Sequence, residues 1–143
     1  MSHYQRMLEA GKDMHALKAL AERHGWRHSF DFRKRLLQET ILVTDTAQHI
    51  VFASQSLTQM NGYLPAEVLG WKPTMFQGPE TSAGTRDAIR AAIAAYEPFT
   101  ANLLNYRKDG STYHCHIDAY PIHNQRNEPV HFIAFEQVID GAS

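Results

Sequence analysis

The stretch GWKPTMFQGPE, Gly70 to Glu80, lies between two differently patterned parts of the chain. Upstream of it, ILVTD and IVFAS are short β-rich runs joined by DTAQH, the pattern of a hairpin. LPAEVLG leads into it, with Pro65 at a first helical position and Gly70 just past the helix end. Downstream, TSAGTRDAIRAAIAAY is the longest helical candidate of this part, with Ile89 and Ile93 four residues apart on one face. Three strand-like runs follow, FTANLLNY, STYHCHIDAYPI and VHFIAFEQV, separated by the turn-like segments RKDG and NQRNE. Two strands, several helices and three strands, in that order, predict an α+β domain with an antiparallel sheet.

The first 28 residues read as a helical extension, distinct from a domain over residues 29–140. Asp13 is expected to cap a helix through HALKALAERH, and Gly25 to end it. Met14, Leu17, Leu20 and Ala21 recur at helical spacing, so this helix has one apolar face to bury. Ser29 or Asp31 is placed to cap a second short helix, FRKRLLQET.

The totals bound the function. A chain of 143 residues with 43% hydrophobic and 20% charged residues suits one cored domain plus a short extension. A formal net charge of −1 gives no electrostatic case for nucleic acid or an anionic membrane. The densest basic run, FRKRL (Phe32 to Leu36), reads as a solvated helix face. No apolar run approaches the roughly 20 residues that span a bilayer, and no signal-peptide pattern opens the sequence, so a cytoplasmic protein is expected. The single cysteine, Cys115, excludes an internal disulfide and any all-cysteine metal site.

The segments IVFAS, NGYLPAEVLG, FQGPET, LNYRKDGSTY and YPI, in this order, resemble a PAS domain, and more closely its LOV branch of blue-light flavin sensors. The resemblance runs from about Leu37 to Val138. It implies a PAS fold: a five-stranded antiparallel sheet with helices on one face, enclosing a ligand-sized pocket. The LOV signature around the adduct cysteine reads G-x-N-C-R-F-L-Q-G, against Gly70 to Gly78 here. By this resemblance Gln77 and Asn105 match polar flavin-contacting positions, Thr44 a polar pocket position on the first strand, and Arg90 a phosphate-contacting arginine.

The departures are larger. Pro73 stands where the signature has its reactive cysteine, so the resemblance implies no cysteinyl–flavin photocycle. Thr74 replaces an arginine, losing a charge-assisted bidentate contact, and Lys72 replaces an asparagine. Cys115 stands at the family's second asparagine, and Glu136 at the glutamine that reads flavin redox state. Glutamine both donates and accepts, whereas an ionised glutamate only accepts.

Strand alternation turns Tyr113, Cys115, Ile117 and Ala119 inward together with Phe132, Ala134 and Glu136, so a thiol and a carboxyl are expected to meet in the pocket. Glu136 is left two ways to tolerate burial: pairing with Lys72, or neutralisation by a raised pKa. The same alternation turns Leu104, Tyr106, Ile133 and Phe135 outward, an apolar face that needs a cover. The N-terminal helices can cover it within one chain, or two copies can pack there. A homodimer through these helices and the outer face is expected.

The remaining readings are negative. His114 and His116 share the outer face; with Cys115 aligned to Glu136, their neighbours are Gln137 and Phe135, which supply no further zinc ligand. Haem-binding relatives of this fold commonly take an axial histidine from the long helix, and TSAGTRDAIRAAIAAY has none, so the resemblance disfavours haem. No phosphate loop, nucleophile elbow or HExxH occurs, so no catalytic residue is expected. With no kinase, cyclase or DNA-binding segment recognisable, a signal is expected to leave by dimerisation or a partner in trans. Six residues remain as the candidate pocket: Thr44, Gln77, Arg90, Asn105, Cys115 and Glu136. Its ligand stays open between an unidentified small molecule, flavin mononucleotide held without adduct chemistry, and a cavity filled by side chains.

Overall fold

The computed structural model describes residues 2–139. Two helices, α1 (His3–His24) and α2 (Phe32–Gln38), precede the hairpin strands β1 (Thr40–Thr44) and β2 (Ile50–Ala53). The short helices α3 (Leu57–Asn61) and α4 (Pro65–Val68), a 3-10 turn (Pro73–Phe76) and α5 (Ala83–Ala94) follow. Strands β3 (Phe99–Tyr106), β4 (Thr112–His123) and β5 (Pro129–Ile139) complete the chain. The sheet is antiparallel throughout, in the order β2-β1-β5-β4-β3, so the first and last strands of the chain meet at its centre.

The helix ends follow local chemistry, with one correction. Helix α1 starts ten residues before the expected cap. The Ser2 hydroxyl accepts from the Gln5 amide at 3.0 Å, and the Gln5 side chain accepts from the Ser2 amide at 3.1 Å. Asp13 is therefore mid-helix and buried rather than a cap. Gly25 does end α1, at φ 63°, a left-handed conformation that glycine adopts without the Cβ penalty. Asp31, not Ser29, caps α2 by accepting from the Lys34 amide. The chain then leaves the helix at Glu39, one residue before the expected end, and Thr40 already belongs to β1.

The two sheet faces build two separate cores. On the outer face Ile41, Val43, Ile122, Ile133 and Phe135 pack against Leu17 of α1, Trp26, and Phe32 and Leu36 of α2, with Met14 and Leu20 half-buried beside them. Burying apolar area at roughly 25 cal/mol per Å² is what holds the extension down. Arg35 adds its guanidinium over the Phe135 ring, 4.0 Å from the centroid, and reaches Glu39 at 2.8 Å and Asp118 at 3.3 Å. The cover stops short of the far strand. Leu104 and Tyr106 are not under α1; they lie half-buried on edge strand β3, where the Gly78–Thr81 loop folds over them. A Cβ at Gly78 would stand 2.4 Å from the Tyr106 ring, so only glycine permits that approach.

The register of β4 on β5 corrects another expectation. Cys115 pairs with Val138 and Ile117 with Glu136, two residues away from the expected alignment; a bulge at Ile122/His123 accounts for one residue of that offset. His114 therefore lies beside Ile139 rather than Gln137, and His116 beside Gln137 rather than Phe135. A two-residue slip keeps every side chain on its face, so the inward set is unchanged. Among the described residues no helix is long and apolar enough to cross a membrane, and no three metal-ligating side chains cluster.

Candidate functional site: the inner-face cavity

The inner face carries the second core, in which Leu42, Leu103, Tyr113 and Cys115 pack against Leu57, Met60, Val68 and Phe76. Toward α5 this core is incomplete. A cavity of about 80 Å³ remains, walled by Phe76, Ile89, Ile93, Leu103, Ile117 and Phe132, with Pro73 on its rim. Five polar side chains open onto it: Thr44, Gln48, Gln77, Asn105 and Glu136.

Each arrives by a different element. β1 ends in Thr44, whose hydroxyl stands 3.5 Å from Gln48 Oε1. Gln48 sits in the β1–β2 turn at φ 70°, a left-handed backbone unusual for glutamine. That conformation aims the amide inward, where Nε2 is buried and has no hydrogen-bond partner among the described residues. Asn105, 3% exposed on β3, likewise has an unpartnered Oδ1. An unmet donor and an unmet acceptor on two residues lining one cavity are costly to leave.

Glu136 is the most buried acid, 4% exposed. The Cys115 thiol donates to its Oε1 at 3.5 Å, a diagonal contact across β4 and β5. Lys72 is exposed, and Cys115 is the partner Glu136 makes instead. Burial raises the Glu136 pKa to about 7, only partly offset by the thiol. Burial and the neighbouring carboxyl push the Cys115 thiol far above its usual range, so it is an inert donor. Burial also raises the Tyr113 phenol, which accepts from Asn61 Nδ2 at 3.5 Å.

Of the expected residues, Thr44, Gln77, Asn105 and Glu136 meet at the cavity, while Cys115 lies behind Glu136. Arg90 is apart from it. It is exposed, paired with Asp87 at 3.1 Å, and lines a separate open groove with Thr74, Gly78 and Arg86. Gln77 borders both spaces. Sequence reasoning missed Gln48 and Arg86. Arg86 Nη2 donates to the Gly78 carbonyl at 2.6 Å, while its Nε is buried without a partner. Arg86 lies one helical turn before Arg90, a spacing that puts both on one face of α5.

A family model described as PAS domain matches residues 38–137. The chain belongs to the PAS domain family. Its homologues are LOV-like. Phototropin-2 of Oryza sativa subsp. japonica is 35% identical over 103 residues, covering 70% of this chain and 11% of that protein. A blue-light-activated histidine kinase of Brucella canis is 33% identical over 85 residues, 59% of this chain and 17% of that one. This PAS domain therefore spans only a small fraction of the curated relatives it matches. Among solved structures, the light state of the Aureochrome1 LOV domain superposes with a TM-score of 0.70 at 27% identity, covering 79% of this chain and 91% of that one. A LOV domain studied with a flavin analogue gives 0.72 at 29% identity, covering 79% and 87%. The relationship makes this a sensory-type domain allied to blue-light photoreceptors.

A flavin is the cofactor that such relatives suggest, and the chain meets it only in part. The polar edge groups Gln77, Asn105 and Gln48 suit a hydrogen-bonding ring, but 80 Å³ falls well below the roughly 300–1,000 Å³ of ordinary ligand pockets. As it stands the cavity does not fit a flavin.

Proposed function

We propose that this PAS domain is a sensory or regulatory module of signal transduction that binds a compact polar molecule in the inner-face cavity. The observation that carries this reading is the pair of buried amide atoms without a partner among the described residues, Gln48 Nε2 and Asn105 Oδ1, on two residues that line one apolar-walled space. A ligand presenting one acceptor and one donor edge meets both. Glu136 supplies a third contact, donating when protonated and accepting when ionised, so occupancy and its charge state are linked. We read the domain as cytoplasmic and non-catalytic. Its signal leaves through a second copy or a partner, with the exposed Tyr4, Met7 and Leu8 of α1 as the contact.

The second reading is a flavin held without adduct chemistry, favoured by Gln77 joining the cavity to the groove of Arg86 and Arg90. Bound flavin supplies blue absorption and redox chemistry. Pro73 carries no thiol, so that reading includes no cysteinyl adduct. A filled, purely interactive domain is the third.

The absorption spectrum of freshly purified protein, with mass analysis of what denaturation releases, separates them. A colourless protein releasing a small non-flavin molecule supports the first reading; a yellow one releasing flavin nucleotide supports the second. Nothing released, together with Glu136→Leu changing stability but no signalling output, leaves the third. Light scattering tests the dimer separately: a mass near 16 kDa that Met7→Lys does not alter removes the proposed contact.

A further inference from the structure

Helix α1 is fastened to the domain at two buried polar points. Near its middle, Asp13 is 5% exposed and its Oδ2 accepts from the Gln55 amide at 2.9 Å. The loop that offers this amide is itself fixed to β1. Ser54 Oγ accepts from the Ile41 amide at 2.8 Å, and Ser56 Oγ meets Thr40 Oγ1 at 2.7 Å. Asp13 borders a cleft of about 350 Å³ between α1, the end of α2, α3 and β5. The charged groups facing that cleft are Arg6 and Glu9 from α1, Glu39, which is paired with Arg35, and Glu136. Among the described residues no cation bonds Asp13.

The other fastener lies past the helix end. Trp26 Nε1 donates to His131 Nδ1 at 2.9 Å, in the buried outer core. Only an imidazole without a proton on Nδ1 accepts there, so His131 is neutral and carries its proton on Nε2. His24 packs edge-on against His131, 4.8 Å between ring centroids, and Asp45 is the acid acting on it.

We propose that α1 docks through two proton-linked fasteners of opposite sign, Asp13–Gln55 and Trp26–His131, which together keep its attachment nearly constant through mildly acidic pH. Burial, opposed by the Gln55 amide bond and reinforced by Glu9, raises the Asp13 carboxyl from 3.8 to about 6. Its contribution to docking is complete below 3.8 and is lost as pH rises through 6. Burial, reinforced by His24, lowers His131 from 6.5 to about 4. Its contribution is complete above 6.5 and is lost as pH falls through 4. The two ranges overlap and run in opposite directions.

Amide hydrogen exchange of α1 in the whole chain, expressed as an opening constant after correction for intrinsic rates, tests this between pH 4 and 7. The wild-type opening constant should vary by less than about tenfold. Asp13→Asn leaves the histidine fastener alone, so opening should become rarer as pH rises, by tenfold to on the order of a hundredfold. His131→Gln, which still accepts from Trp26, should reverse that trend. Identical profiles in all three proteins overturn the proposal, as does α1 exchanging only together with the central strands. Should a variant not fold, the wild-type titration decides by NMR: midpoints near 6 for Asp13 and near 4 for His131 are expected. Ordinary values at both overturn it.

Discussion

The two faces of the sheet are closed in different ways. On the outer face, side chains from α1 and α2 fill the space over Ile41, Val43, Ile133 and Phe135, and Trp26, His131 and Arg35 have polar partners. On the inner face the helices leave a cavity, two amide atoms without partners and a carboxyl whose burial shifts its protonation toward neutral pH. The same strands supply both faces, residue by alternate residue. The outer face is optimised for cohesion, and the inner face carries local conflicts of the kind that sites retain. Substitutions on the two faces should therefore fail differently.

The largest effect is expected outside. Phe135→Ala removes a fully buried ring and the seat of Arg35, and should cost about 3–5 kcal/mol in denaturant unfolding. A loss below about 1 kcal/mol breaks the comparison, because the outer face would then not be the tightly packed one. Next is Glu136→Gln. A raised acid pKa means that the contribution of Glu136 is complete below 4.5 and lost as pH rises through 7. Relative to the variant, the wild type should lose on the order of 3 kcal/mol over that range. A pH-independent difference would mean that Glu136 is solvated or paired in solution. Gly78→Ala should cost about 1–3 kcal/mol by displacing Tyr106 from the loop beside the site. The smallest effect on folding is expected at the centre of the cavity. Asn105→Leu loses its amide contact to the Tyr113 phenol but no side-chain acceptor bond, so it should shift unfolding by about 1 kcal/mol while abolishing ligand binding. A large loss of stability there would mean that Oδ1 is satisfied by structural water.

Much of this was legible from sequence. Period-two alternation assigned both faces of β4 and β5, and that assignment survives the change in register because the slip is even. The register itself was not legible, since it depends on a bulge at Ile122/His123 that no turn residue announces. Asp13 reads as a cap because Asp commonly starts helices. Its partner, the Gln55 amide, is 42 residues away and gives no local signal. Thr44, Gln77, Asn105 and Glu136, expected from family resemblance and strand alternation, line one cavity. Gln48 was missed because DTAQH reads as a turn, and nothing in a turn sequence says that one amide points inward at positive φ. Leu104 and Tyr106 were placed by face alone, although an edge strand can be covered by a loop that folds around it.

The most direct test is native mass spectrometry of the freshly purified wild type beside Asn105→Leu. A bound small molecule above the 16.3 kDa chain mass, lost in the variant while the variant stays folded, is the expected result. A bare chain in both, with added candidate ligands stabilising neither, would contradict a sensory cavity and make the inner face a core with a packing defect.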